Sequence, residues 1–166
     1  MFIEADISGF NLAVQFSLII LPCNTFSTLP ESERLACLGR IRKHLKLGGI
    51  FAVSIPNPEL LRGLPKREEA EVEDEFTHPQ TGHPVQVSSS WQRTKNNFSV
   101  TWIYDHLLPD GKVERLTVET THHIIPAQTY LDEIRSAGMK VTATYGDFDH
   151  SAYRADSPYL ICLATI

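Results

Sequence analysis

An α/β fold carrying an antiparallel β insertion follows from three features of the sequence. Two short apolar runs, FSLIIL at 16–21 and IFAVSI at 50–55, flank a segment whose apolar residues recur every three to four positions. Between Val85 and Ile124, three β-rich segments are joined by Asn96-Asn97 and Asp110-Gly111. After Pro126 a helical pattern returns, followed by two strand-like segments.

Phe16–Leu21 is rich in Ile and Leu without alternation, which reads as a strand buried on both faces, and Pro22 and Asn24 end it. Pro30 opens a helix in the first-turn position, where its missing N–H costs nothing. Glu31 and Glu33 suit the positive end of the helix dipole, and Arg42, Lys43 and Lys46 suit the other. Leu35, Leu38, Ile41 and Leu45 form its apolar stripe, with Gly48-Gly49 as the stop. Ile50–Ile55 is then a second strand, and short connections on both sides of the helix imply a right-handed βαβ unit with parallel pairing.

Leu60–Gly82 is polar and charged and reads as an exposed excursion with one helical turn. Val85–Thr94, Phe98–Leu108 and Val113–Ile124 form a three-stranded meander, because Asn-Asn and Asp-Gly tolerate the positive φ of tight hairpins. Pro126 starts a helix through Ala137, with Tyr130, Leu131 and Ile134 as its buried stripe and Gly138 past its end. Lys140–Tyr145 and Tyr159–Thr165 close the chain as strands. The expected organisation is a partial core over 1–59, the excursion and insertion over 60–125, and a completing helix and strand pair over 126–166.

Composition narrows the function. Of 166 residues, 42% are hydrophobic and 21% charged, which excludes wholesale disorder. The net charge is -5, from 15 basic and 20 acidic residues, and six of those acids lie between Glu68 and Glu75. The acidity is local and no basic excess points to nucleic acid or an anionic membrane. Cys23, Cys37 and Cys162 are odd in number and scattered, which argues against a disulfide framework and fits a cytoplasmic setting.

Several segments carry a family resemblance in their order. Glu4-Ala5-Asp6-Ile7, FSLIILPCNTFSTL, the helix ending KHLKLGG, the strand IFAVSIPNP and the segment YLDEIRSAGMKVTATYGDF together resemble class I S-adenosylmethionine-dependent methyltransferases. The likeness is to the small-molecule branch that includes sugar-amine N-methyltransferases, which carry an antiparallel insertion. It implies the C-terminal half of a Rossmann-like methyltransferase fold and S-adenosylmethionine as cofactor. The family's glycine-rich cofactor turn has no counterpart here, since only Gly9 precedes Gly39. The resemblance therefore implies a truncated or partner-dependent chain that binds the cofactor weakly. It also implies a homodimer, or a complementing N-terminal half, covering the Phe16–Leu21 edge. The alternative is a non-enzymatic binding or regulatory module derived from a methyltransferase.

The resemblance also assigns residues. Asp6 matches the acid that accepts a hydrogen bond from the adenine amino group, and Ile7 the residue packed on that ring; an Asp there is equally a turn cap. Leu21, Pro22 and Cys23 fall beside the cofactor, and Asn24 falls where the donor nitrogen or oxygen is oriented. A backbone carbonyl near Pro22 would help, and Phe26 would wall the substrate pocket. The loop lacks the Asn/Asp-Pro-Pro-Tyr/Phe signature of amide and nucleobase methyltransferases, which turns the expected acceptor toward a small-molecule amine or hydroxyl.

His122 and His123 end the last meander strand, a junction that the resemblance turns toward the substrate. Adjacent strand residues face opposite ways, so one of them at most looks into a pocket and accepts a proton near neutral pH; a surface histidine beside a structural one is the other reading. Tyr104 and Asp105 are weaker substrate-side candidates. Asp147, Asp149 and His150 lack any metal-binding framework and read as a polar loop.

Overall fold

The computed structural model describes residues 2–166. Its elements in chain order are β1 (Phe16–Leu21), a 3-10 turn (Thr25–Thr28), α1 (Glu31–His44), β2 (Leu45–Pro56), α2 (Pro58–Gly63), β3 (Arg67–Thr77), β4 (Pro84–Arg93), β5 (Asn97–Leu107), β6 (Val113–His123), α3 (Ala127–Ser136), β7 (Lys140–Tyr145) and β8 (Tyr159–Thr165). They form two compact units, one made of the residues up to Gly63 together with His123–Ile166, the other of Leu64–His122.

The first unit holds a mixed sheet in the order β1-β2-β8-β7. β1 and β2 pair in parallel, with Leu18 beside Ile50 and Ile20 beside Ala52, so the expected βαβ unit forms. β8 runs antiparallel to both β2 and β7. On β2, Phe51, Val53 and Ile55 alternate onto one buried face. Leu160, Cys162 and Ala164 of β8 do the same, and Leu38 and Ile41 of α1 with Tyr130 and Ile134 of α3 cover them.

Three local expectations change. β1 lies at the sheet's edge, as the resemblance implies, but is not buried on both faces: Phe16, Leu18 and Ile20 are exposed. Pro30 is the residue before the first helical turn, not within it. α1 ends without the glycines, because Leu45 turns extended (φ -85, ψ 133) and passes straight into β2. Gly48-Gly49 instead serve an irregularity in the ladder, where the pairing steps from Phe16–Leu45 to Leu18–Ile50. Gly48 has φ +73, and a Cβ on Gly49 would lie 2.9 Å from the Lys46 carbonyl oxygen.

Three polar contacts fasten this unit. Arg34 on α1 and Glu133 on α3 form a buried two-pronged ion pair, Nε to Oε2 at 2.8 Å and Nη2 to Oε1 at 2.7 Å. Burial alone would lower the Arg34 pKa, but the hydrogen bonds and charge of Glu133 hold it above its ordinary value. Asn57, fully buried, donates Nδ2 to the carbonyls of Arg154, Ala155 and Ser157 and accepts at Oδ1 from the Glu59 N–H and the Tyr153 hydroxyl. His44, also buried, accepts the Leu12 N–H at Nε2 (2.8 Å) while Nδ1 meets the Arg40 carbonyl at 2.7 Å, which ties the N-terminal segment to the end of α1.

The second unit is an antiparallel sheet in the order β3-β4-β5-β6. The predicted three-stranded meander is therefore four-stranded, and the expected excursion over Leu60–Gly82 resolves into α2 and β3. The reason lies in the acidic run: all eleven residues of β3 are exposed, so no apolar alternation marks it as a strand. It is fastened side chain by side chain, Trp91 donating its indole N–H to Glu68 and Ser89 its hydroxyl to Glu73. A row of carboxylates on an edge strand also discourages further pairing.

Candidate active-site loop

Leu21, the last residue of β1, is buried, and the chain then turns sharply. Cys23 and Asn24 take φ +57 and +59 in succession, a left-handed pair made without glycine. Such backbone is sparsely populated and costs on the order of 1–3 kcal/mol per residue unless its surroundings hold it. Here the hold is visible. The Asn24 carbonyl accepts the Ser27 N–H (3.1 Å) and hydroxyl (2.7 Å), and Phe26 is wholly buried with its ring 5.9 Å from that of Tyr130.

Two expectations about this loop are corrected by the geometry. The Pro22 carbonyl already accepts the Thr25 N–H and the Thr25 hydroxyl (3.1 Å), so it is spent on the turn. Phe26, with no exposed surface, is a core anchor and not a pocket wall. Asn24 gains weight in their place. Its Oδ1 is buried and, among the described residues, is the buried side-chain polar atom left without a hydrogen-bond partner. An unsatisfied buried acceptor costs roughly 1–3 kcal/mol, so the loop carries, beside its strained backbone, an amide oxygen whose hydrogen-bonding capacity the fold leaves unused.

Asp6 lies in an irregular segment and is exposed. Its Oδ1 accepts both the N–H and the hydroxyl of Ser8 at 2.7 Å, and these bonds hold its carboxyl below the usual carboxylate range. The turn-cap role is therefore real, yet Oδ2 makes no hydrogen bond among the described residues. Ile7 packs against the core cluster, so the pair presents a carboxylate beside a fixed apolar side chain. Cys23 is exposed, whereas burial pushes the thiols of Cys37 and Cys162 up to about 12, and all three cysteines are free.

His122 and His123 are both half-buried at the end of β6. The carbonyl of His123 accepts the Tyr130 hydroxyl at 2.8 Å, so the ring that packs on Phe26 also fixes the backbone of a candidate base. Sequence reasoning placed Tyr130 only in a buried stripe; the helical spacing gave no sign of its hydroxyl's partner. Burial raises the Tyr130 pKa, which keeps that hydroxyl a donor. His122 and Tyr104 belong to the second unit. Asp105 is held by Arg115 through two 2.7 Å bonds that lower its pKa, which leaves it a poor base. Asp147 and Asp149 accept the backbone N–H groups of Phe148 and Ser151 and so serve their own loop.

Comparison with known proteins points the same way for the fold. No protein-family model and no curated protein sequence matches the chain. Solved structures do. An S-adenosylmethionine-dependent methyltransferase from Clostridium acetobutylicum aligns over 98% of this chain and 63% of its own, with TM-score 0.78 and 13% identity. The amino pentose methyltransferase CalS10 from Micromonospora echinaspora, solved with S-adenosylmethionine bound, aligns over 97% and 62%, with TM-score 0.70 and 16% identity. The sugar N-methyltransferase KedS8 from Streptoalloteichus aligns over 95% and 60%, with TM-score 0.71 and 16% identity. The chain has the fold of S-adenosylmethionine-dependent methyltransferases and spans about three fifths of the length of these structures. No described helix is long and apolar enough to cross a membrane.

Proposed function

We propose that this chain takes part in S-adenosylmethionine-dependent methyl transfer to a small-molecule amine or hydroxyl. The observation that carries the reading is the unpartnered, buried Oδ1 of Asn24 in a left-handed turn at the carboxyl end of β1, on a fold shared with methyltransferases. Binding sites of open α/β sheets gather at the carboxyl ends of their parallel strands. When bound, the cofactor supplies an electrophilic methyl group on a sulfonium.

The chain's own residues would do the rest. Asp6 offers Oδ2 to an exocyclic amino group and Ile7 an apolar surface beside it. Leu21, Pro22 and Cys23 form the backbone that runs alongside. Asn24 accepts an N–H or O–H of the methyl acceptor and thereby aims its lone pair, and aligned geometry is a large part of what a displacement of this kind needs from protein. His123, fixed through its carbonyl by Tyr130, takes the proton that the acceptor releases. The matched proteins named for amino pentose and sugar N-methylation support an amine as acceptor.

Asn24→Gly separates function from folding, because glycine removes the amide and takes the φ of +59 without strain. Removing the amide should lower methyl transfer from labelled S-adenosylmethionine to a panel of amino sugars by about a hundredfold, the scale expected when a positioning contact is lost. Stability should not fall, since the deleted oxygen had no partner. Unchanged turnover, or a loss of stability matching the loss of turnover, would remove Asn24 from the site.

A further inference from the structure

We propose that the four-stranded unit carries its own binding site for a small organic cation, independent of the methyl-transfer reading. The site is a cavity of about 300 Å³ on one face of the sheet, at the lower end of the size range of ligand pockets. Its carbon lining comes from Phe76 on β3, Val85 on β4, Tyr104 on β5 and Leu116 on β6. The register explains why they converge: Phe76 pairs with Val85 and Val85 with His106, and Tyr104 lies two residues from His106 on the same face. Phe76 and Leu116 remain 41% and 60% exposed, so the patch is open to a ligand.

The polar rim decides the ligand's charge. His106 stacks on His78 with ring centroids 4.7 Å apart and its Nε2 lies 2.8 Å from the Thr81 hydroxyl. The N–H groups of Gln80 and Thr81 both donate to Nδ1 of His78. Arg115 also lines the cavity, but its charge is matched by the two-pronged bond to Asp105. That leaves Glu114. Its carboxylate is 3.7 Å from His106 Nδ1, within ion-pair range but too far for a hydrogen bond, and its side chain is 72% exposed.

A carboxylate with no hydrogen bond among the described residues, on the same cavity as Phe76 and Tyr104, is the arrangement that favours an ammonium group. The carboxylate attracts the charge, the ring faces attract it through their quadrupoles, and the apolar floor takes the ligand's carbon body. An anion would meet Glu114 unfavourably. The sequence hid this site because β3, which contributes Phe76, did not read as a strand, and because three histidines at 78, 83 and 106 show no recognised spacing.

Titration of the full chain with choline, followed by NMR, tests the proposal, with 3,3-dimethylbutan-1-ol as the uncharged isostere. Choline should shift the resonances of Phe76, Tyr104 and His106 saturably, and the isostere should bind about tenfold more weakly or worse. Glu114→Gln, an exposed substitution that leaves packing untouched, should weaken choline about tenfold and leave the isostere unaffected. Phe76→Leu should weaken choline as well. Equal binding of choline and its isostere, an unaffected Glu114→Gln variant, or shifts confined to residues away from this face would overturn the proposal. None of these outcomes bears on whether the chain binds an adenosyl ligand.

Discussion

Glu133→Ala is expected to destabilise the protein by about 3–5 kcal/mol, the range for breaking a buried ion pair from one side. The side chains of Arg34 and Glu133 are only 4% and 9% exposed, so the guanidinium left behind has little water to turn to. One of its nitrogens would keep the Leu29 carbonyl at 2.8 Å, and the ring of Tyr130 would remain 5.5 Å from its centre. Neither replaces a carboxylate. Set against a typical domain stability of about 5–15 kcal/mol, the loss brings the protein close to unfolding at ambient temperature. Denaturant titration measures it. The double substitution Arg34→Met with Glu133→Leu should recover most of the deficit, because the larger part of the cost is the orphaned charge and not the absence of the pair. A single-variant loss under about 1 kcal/mol would show that water reaches the pair in solution.

Asn57→Ala is expected to cost about 3 kcal/mol or more, since it strips partners from several buried groups at once. The Nδ2 donor meets three carbonyls, those of Arg154, Ala155 and Ser157, at 3.0, 3.1 and 2.7 Å. The Oδ1 acceptor holds the first N–H of α2 and the Tyr153 hydroxyl. One side chain thus joins the loop between β7 and β8 to the start of α2. Asn57→Asp is the sharper variant. It keeps an acceptor for Glu59 and Tyr153 but turns a carboxylate oxygen toward three carbonyl oxygens. Its stability should be lower than that of the alanine variant at neutral pH and should recover in part on mild acidification, when the carboxyl can donate. A pH-independent difference between the two would contradict this assignment.

The parts of the fold that were legible from sequence are those in which burial dictates residue type. β2 and β8 must be apolar on the covered face, α3 shows its stripe at Tyr130 and Ile134, and Asp-Gly marks a turn in which Gly111 takes φ +81; the Asn96-Asn97 turn also falls where expected, though neither residue takes a positive φ. What escaped notice was governed by something other than burial. β3 is held by ladder bonds and by Trp91 and Ser89 reaching its acids, so nothing in its composition announced a strand. The apolar character of β1 suggested burial on both faces while the family resemblance implied an open edge, and the edge is what forms; apolarity records what a face favours and says nothing about whether this chain covers it.

The candidate site divides in the same way. Asn24 entered as a candidate through the family resemblance, which sets the loop after β1 beside the transferring methyl. Its distinguishing feature, the amide oxygen without a partner, is a property of three dimensions and has no trace in composition. Phe26 misled for the converse reason: an aromatic beside a functional loop fits a wall and a core anchor equally well, and only its complete burial separates them.

The central claim, that the loop after β1 and the Asp6–Ile7 segment together face an adenosyl ligand, is tested most directly by NMR of the full chain titrated with S-adenosylhomocysteine. We expect saturable shifts at Asp6, Ile7, Leu21, Cys23 and Asn24, even if affinity is only in the high micromolar range. Shifts confined to other parts of the chain, or none at saturating ligand, would contradict the claim.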